Sequence, residues 1–164
     1  MKILVTGFMP FGGETVNPAY EAVRRLPAQI AGADIATVEI PVVYKKGPAA
    51  VEAAIDAEKP DMVLCVGQAG GRAEITPEFV GINYANFRIP DNEGFQPLST
   101  KLEEDGPDAY FATLPVQAMV DACKEKGVPA NVSYSAGTYC CNEVLYELLY
   151  ALDHRHPGVR GGFV

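Results

Sequence analysis

Three short apolar runs, separated by stretches that carry helix signals, decide what this chain can fold into. Lys2 to Phe8 is almost continuously apolar, the mark of a strand covered on both faces. Asn17-Pro18 then sets a cap residue before a proline at the first helical position, so a helix carries Tyr20 to Leu26 until Pro27 stops it. Ala33 to Val43 reads as a second strand, Lys46 to Glu58 as an alanine-rich helix closed by Pro60, and Asp61 to Gly67 as a third strand ending in Gly67-Gln68-Ala69-Gly70-Gly71. The order β-α-β-α-β calls for a parallel sheet flanked by helices. At 164 residues the chain suits a single α/β domain spanning residues 1–164.

Beyond the third strand, residues 72–106 break into short extended pieces with turn signals at Pro77, Pro90-Asp91-Asn92 and Glu93-Gly94, the kind of long irregular segment that serves function or an interface. Pro115 to Lys126 returns to helix, Asn131 to Ser135 reads as a strand, and Glu143 to Tyr150 as an apolar helix face. Gly161-Gly162-Phe163-Val164 has the look of one more strand beginning. The net charge of −8 excludes the basic footprint that nucleic acid or an anionic membrane requires. With no run near the roughly 20 apolar residues of a membrane span, and a start that reads as a strand, a cytoplasmic protein is expected. The four cysteines lack CxxC or zinc-finger spacing, so neither a metal nor a disulfide framework is implied.

Chemistry concentrates where an extended segment turns into a helix, at Ser135-Ala136-Gly137-Thr138-Tyr139-Cys140-Cys141-Asn142. A thiol in the first helical turn lies near unpaired N–H groups and the positive end of the dipole, which lowers its pKa below the free value of about 8.5. Cys141 is expected to react and Cys140 to pack, the competing reading being that both are packing residues. A redox pair is disfavoured because adjacent cysteines close a strained ring. Gly7 to Glu14 imitates a phosphate loop but carries Gly13 and Glu14 where lysine and a hydroxyl belong. It offers instead Phe8 and Phe11 at the carboxyl end of a strand, either a clamp for a flat ring or core residues near a turn. Gln68 lies in a glycine-rich turn just past another strand, where it would meet the polar edge of a ligand. Glu78 is read either as the carboxylate that orients a histidine or as a solvated surface residue, and Arg88 either as aimed into a site or as half of an internal ion pair.

Four segments, GFMPFGGETVNP (Gly7 to Pro18), VGQAGGRAEITPE (Val66 to Glu78), RIPDNEG (Arg88 to Gly94) and SAGTYCCN (Ser135 to Asn142), resemble the pyroglutamyl peptidase I family of cysteine peptidases, in order and across Met1 to Val164. The resemblance implies a three-layer α/β/α sandwich with a mostly parallel sheet, and a thiol peptidase that removes N-terminal pyroglutamyl residues from peptides. It also implies a cytosolic enzyme without cofactor or metal, assembled as a homotetramer. By the same resemblance Cys141 is the nucleophile, Glu78 the glutamate of the relay, and Arg88 an arginine near the oxyanion. Phe8, Phe11 and Tyr139 would hold the pyroglutamyl ring, with Gln68 in the ring-binding loop. The family's catalytic histidine follows a Gly-Gly-Phe-(Ile or Val) segment, which here is Gly161 to Val164, the last residues of the sequence. The 164-residue chain is therefore expected to lack that base, together with the family's C-terminal strand and helix, and to be inactive by itself. His154 and His156, in a polar loop, are the only histidines available to substitute. The alternative is a non-catalytic pyroglutamyl-binding or assembly protein.

Overall fold

A computed structural model describes residues 1–164. A five-stranded sheet runs in the order β2-β3-β1-β4-β7, built from β1 (Lys2–Phe8), β2 (Gln29–Ile30), β3 (Ala33–Ile40), β4 (Met62–Val66) and β7 (Arg160–Phe163). All pairs are parallel except the short β2–β3 hairpin. A separate antiparallel pair, β5 (Val80–Ile82) and β6 (Ala109–Phe111), comes from the segment that the sequence leaves irregular. The helices are α1 (Pro18–Val23), α2 (Lys46–Glu58), α3 (Val116–Glu125) and α4 (Cys140–His154).

Alternation along the strands sorts side chains between two layers of helix. Leu4 and Phe8 of β1 and Val63 and Cys65 of β4 join α2 and α4 in one buried cluster. Ile3 and Val5, with Leu64, Val66 and Ile35, face α1 on the other side. That second layer is thin: Ala22, Val23 and Leu26 of the α1 region share with the sheet an all-apolar hollow of about 280 Å³. The α/β architecture is the one expected, with helices on both faces of a mostly parallel sheet. No helix is long and apolar enough to cross a membrane.

Several local expectations change. Residues 131–135 do not form a strand; the segment 130–133 touches residues 75–78 through two isolated parallel bridges, Ile75 with Ala130 and Glu78 with Ser133. Extended backbone with only those two bridges lacks the continuous ladder that defines a strand. The first helix ends at Val23 and continues only as turns, because Pro27 has no N–H with which to extend it. At its start Asn17 acts as the cap, its Oδ1 accepting from the Ala19 N–H at 3.0 Å. The closing Gly161–Phe163 does become a strand, pairing with β4 from Val63 to Cys65.

The chain leaves β1 for β3 on one side and returns to β4 on the other, so the order reverses between β1 and β4. In open α/β sheets a crevice forms at that reversal, beyond the carboxyl ends of the strands. Phe8 ends β1, Gly67-Gln68 follows β4, and Phe163-Val164 ends β7 on the same edge.

Candidate active site

The amino end of α4 is brought to this crevice. Asn142, 1% exposed, ties the first turn of α4 to the neighbouring segment. Its Oδ1 accepts from Ile82 N–H at 2.9 Å, and its Nδ2 donates to the carbonyls of Ile82 at 2.9 Å and Tyr84 at 3.0 Å. Gly81 lets β5 approach α4 closely, since a Cβ there would lie 3.0 Å from the Tyr146 nitrogen. Across the crevice, a Cβ on Gly67 would stand 2.6 Å from the Phe163 ring and 3.2 Å from the Cys141 sulfur. Glycine at the end of β4 is what allows the thiol to sit over the sheet edge.

Two cavities meet at Cys141. The first, about 320 Å³, is lined by Phe8, Phe11, Val42 and Tyr139 with the polar edge of Gln68 and Asn17. The second, about 490 Å³, is polar and is lined by Gln68, Arg72, Thr76, Glu78 and Val164. Cys141, Arg88 and Gln68 border both. Cys140 is 3% exposed and packs in the core, whereas Cys141 is only partly buried.

The aromatic slot is tied together by ring contacts and one hydrogen bond. Tyr139 stacks on Phe87 with centroids 4.5 Å apart and on Phe11 at 6.2 Å, and its hydroxyl donates to the Pro90 carbonyl at 3.2 Å. Phe8 is 3% exposed and packs on Phe163, so it is a core residue and a cavity wall at once. Asn17, read from the sequence only as a helix cap, also lines the slot, and its Nδ2 donates to the Met9 carbonyl at 3.0 Å, fixing the turn between Phe8 and Phe11. The available signal was a cap asparagine four residues after the Gly12-Gly13 turn that follows Phe11.

Glu78 is not a solvated glutamate: it is 5% exposed and its amide donates to the Phe163 carbonyl at 2.9 Å. Burial raises its carboxyl above the usual range, while Ser133 and Arg72 act in the opposite direction. Its Oε2 is buried without a hydrogen-bond partner. Arg88 is exposed at the rim and enters no ion pair, so the internal pair considered for it does not form.

The helix start does not give Cys141 a depressed pKa. Burial pushes its thiol up to about 12, the charge of Glu78 adds to the rise, and Arg72 and the local backbone amide only partly offset it. Desolvation of the sulfur outweighs the amides because packing against Gly67 and the crevice walls costs a thiolate more hydration than one helix terminus returns. Neither histidine relieves this. His154 stacks on Tyr150 and takes part in a 2.9 Å contact between Nδ1 and the Tyr150 carbonyl, and His156 lies 3.6 Å from Glu52. His154 closes α4, thirteen residues from Cys141, which at 1.5 Å per residue is about 20 Å along the axis.

The sequence profile of the family described as Pyroglutamyl peptidase matches residues 1–164. The chain belongs to the pyroglutamyl peptidase family. It is 54% identical over its whole length to the pyrrolidone-carboxylate peptidase of Enterococcus faecalis, covering 77% of that protein, and 56% identical to pyrrolidone-carboxylate peptidase 1 of Streptococcus pneumoniae, again covering 77%. Among solved structures, pyroglutamyl peptidase I from Bacillus amyloliquefaciens superposes with a TM-score of 0.97 at 50% identity, over 99% of this chain and 78% of that one. A mutant pyrrolidone carboxyl peptidase from Pyrococcus furiosus superposes at 0.95 with 38% identity, over 99% of this chain and 79% of that one. Membership in this family makes the chain a cysteine-type peptidase by descent.

Proposed function

We propose that this chain hydrolyses the bond after an N-terminal pyroglutamyl residue, with Cys141 as nucleophile. One observation carries the reading: the Cys141 sulfur borders both an aromatic slot and a polar cavity holding a buried carboxylate. Pyroglutamate is a neutral lactam with a flat apolar body and a polar amide edge. Phe8, Phe11 and Tyr139 match the body, and Gln68 matches the edge. The slot has no carboxylate to attract a free ammonium group, in keeping with a substrate whose amine is closed into the ring.

In this reading the sulfur attacks the pyroglutamyl carbonyl, and the C–N bond to the next residue breaks as the thiol proton passes through a carrier to the leaving amine. Water then cleaves the thioester, releasing pyroglutamate and regenerating the thiol. The Cys141 backbone N–H and the Arg88 guanidinium at the rim stabilise the oxyanion. A thiol raised by burial needs a neutral base beside it that takes the proton and, once cationic, stabilises the thiolate, and an imidazole is the group suited to neutral pH. The carrier of this proposal is the catalytic histidine that the family resemblance implies, which in the family follows a Gly-Gly-Phe-(Ile or Val) segment; the matching Gly161 to Val164 segment ends at the cavity that Cys141 and Glu78 line. Glu78 would then fix its tautomer. The family's further C-terminal strand and helix, a homotetramer and a cytoplasmic place belong to the same proposal, and the apolar hollow beside α1 is where extra covering structure would fit.

The test is turnover of a chromogenic pyroglutamyl amide by residues 1–164 and by the same chain extended by the histidine and following residues of its relatives. The expected result is a rate at least a thousandfold higher in the extended chain, abolished by iodoacetamide. Thiol-dependent turnover of equal rate in both would overturn the assignment of the carrier. Binding of the lactam without turnover in either would favour the non-catalytic alternative.

A further inference from the structure

Arg72 stands outside the roles assigned so far, yet it is the cation closest to the relay carboxylate. It follows the glycine-rich turn after β4, where its own amide donates to the Ala69 carbonyl at 3.1 Å and Gly71 takes a φ of +87°. This reversal sends the guanidinium back into the polar cavity. There Nη1 donates to Thr76 Oγ1 at 2.9 Å, to Ser133 Oγ at 3.1 Å and to Glu78 Oε1 at 3.4 Å, while Nη2 donates to the Ser135 carbonyl at 3.4 Å. One side chain thus joins the Glu78 segment to the loop that leads into α4 and Cys141.

The two oxygens of Glu78 are unlike. Oε1 faces Arg72, whereas Oε2 is buried and unpartnered. We propose that Arg72 is a positioning residue of the reaction, clamping Glu78 through Oε1 so that Oε2 stays free and oriented for the N–H of the proton carrier of Cys141. The proposal rests on the peptidase reading above and deepens it. A buried carboxylate without a cation would take up a proton and lose its use as an acceptor; Arg72 works against that. The charged and titratable groups around Glu78 are Arg72, Arg88 and Cys141, all lining the same cavity, with Cys65 behind Cys141. Arg72 is the one among them bonded to Glu78.

The experiment titrates Glu78 directly, by ¹³C NMR of carboxyl-labelled glutamate with Glu78→Gln to assign the signal, in the unaltered chain, Arg72→Gln and Arg72→Lys. The midpoint is expected to rise by about one pH unit or more in Arg72→Gln, a tenfold change in protonation, and to return at least halfway in Arg72→Lys. Thermal melting of each variant separates this effect from loss of fold. In a form that turns over the pyroglutamyl amide, Arg72→Gln should lower kcat at least tenfold with KM within threefold, move the acid limb upward, and add nothing to Glu78→Gln. An unmoved Glu78 midpoint in a folded Arg72→Gln chain would overturn the proposal, as would a change in KM alone, which would make Arg72 a contact for the leaving peptide. Failure of the peptidase reading looks different: no turnover in any form, with the Glu78 titration still responding to Arg72.

Discussion

Two adjacent cysteines on one helix show how a one-residue step separates structure from chemistry. Cys140 is turned into the core and Cys141 to the junction of two cavities. In the chain extended by the histidine, Cys141→Ala is expected to reduce turnover of a pyroglutamyl amide by a factor of about 10⁴ or more, and Cys140→Ala by less than threefold, as steady-state rates would show. Phe11, half-buried against Tyr139, lines the slot into which the proposal places the lactam. Phe11→Ala should raise KM by roughly tenfold, about 1.4 kcal/mol, with a smaller change in kcat. The residue least legible in the sequence is Arg72. Its turn is common in composition, and its partner Ser133 lies 61 positions away, so no local pattern announces the contact. Cys141 was legible by position but not by pKa, because burial by Gly67, Phe163 and the crevice walls is a tertiary property that overrides the helix terminus.

Helix α4 is the element on which the site depends, and its fixing point is Asn142. Replacing it with alanine takes the side-chain partner from the Ile82 amide and the Tyr84 carbonyl, while the Ile82 carbonyl keeps only the Tyr84 N–H at 2.8 Å. Asn142→Ala is expected to cost about 3 kcal/mol and to lower the melting temperature by roughly 6–12 °C. Further along α4, Glu143 is 1% exposed and accepts from the Lys45 N–H at 2.6 Å, and Glu147 pairs with the Lys45 ammonium. Burial pushes Glu143 up to about 8 and Glu147 up to about 7. A carboxyl whose folded pKa is raised holds its proton more tightly when folded, so its contribution is complete at acid pH and is lost as pH rises through the folded value. Stability should therefore fall between about pH 4.5 and pH 8, and Glu143→Gln should flatten that slope, as urea midpoints measured from pH 5 to pH 8 would show. The helix itself was readable from its apolar face, and Lys46 to Glu58 from its alanines. The strand expected at 131–135 failed because the alternating β-formers there make a single isolated bridge, Ser133 with Glu78.

For the whole molecule, the order of apolar runs was enough to specify a mostly parallel sheet, since strands buried on both faces leave a near-continuous signal in Lys2–Phe8 and Met62–Val66. The two-residue β2 and the β5–β6 pair are too short for periodicity to register. What the fold accomplishes is the reversal between β1 and β4, which opens a crevice at the strand ends and lets the start of α4 close it with a sulfur. The central claim is that this sulfur faces the lactam slot. It is tested most directly by alkylating the chain with iodoacetamide at alkaline pH, with and without saturating pyroglutamyl amide, and mapping the labelled cysteine by mass spectrometry. Cys141 should be the site that the lactam protects at least tenfold, with Cys123 labelled equally in both samples. Equal labelling of Cys141 with and without the lactam would contradict the account.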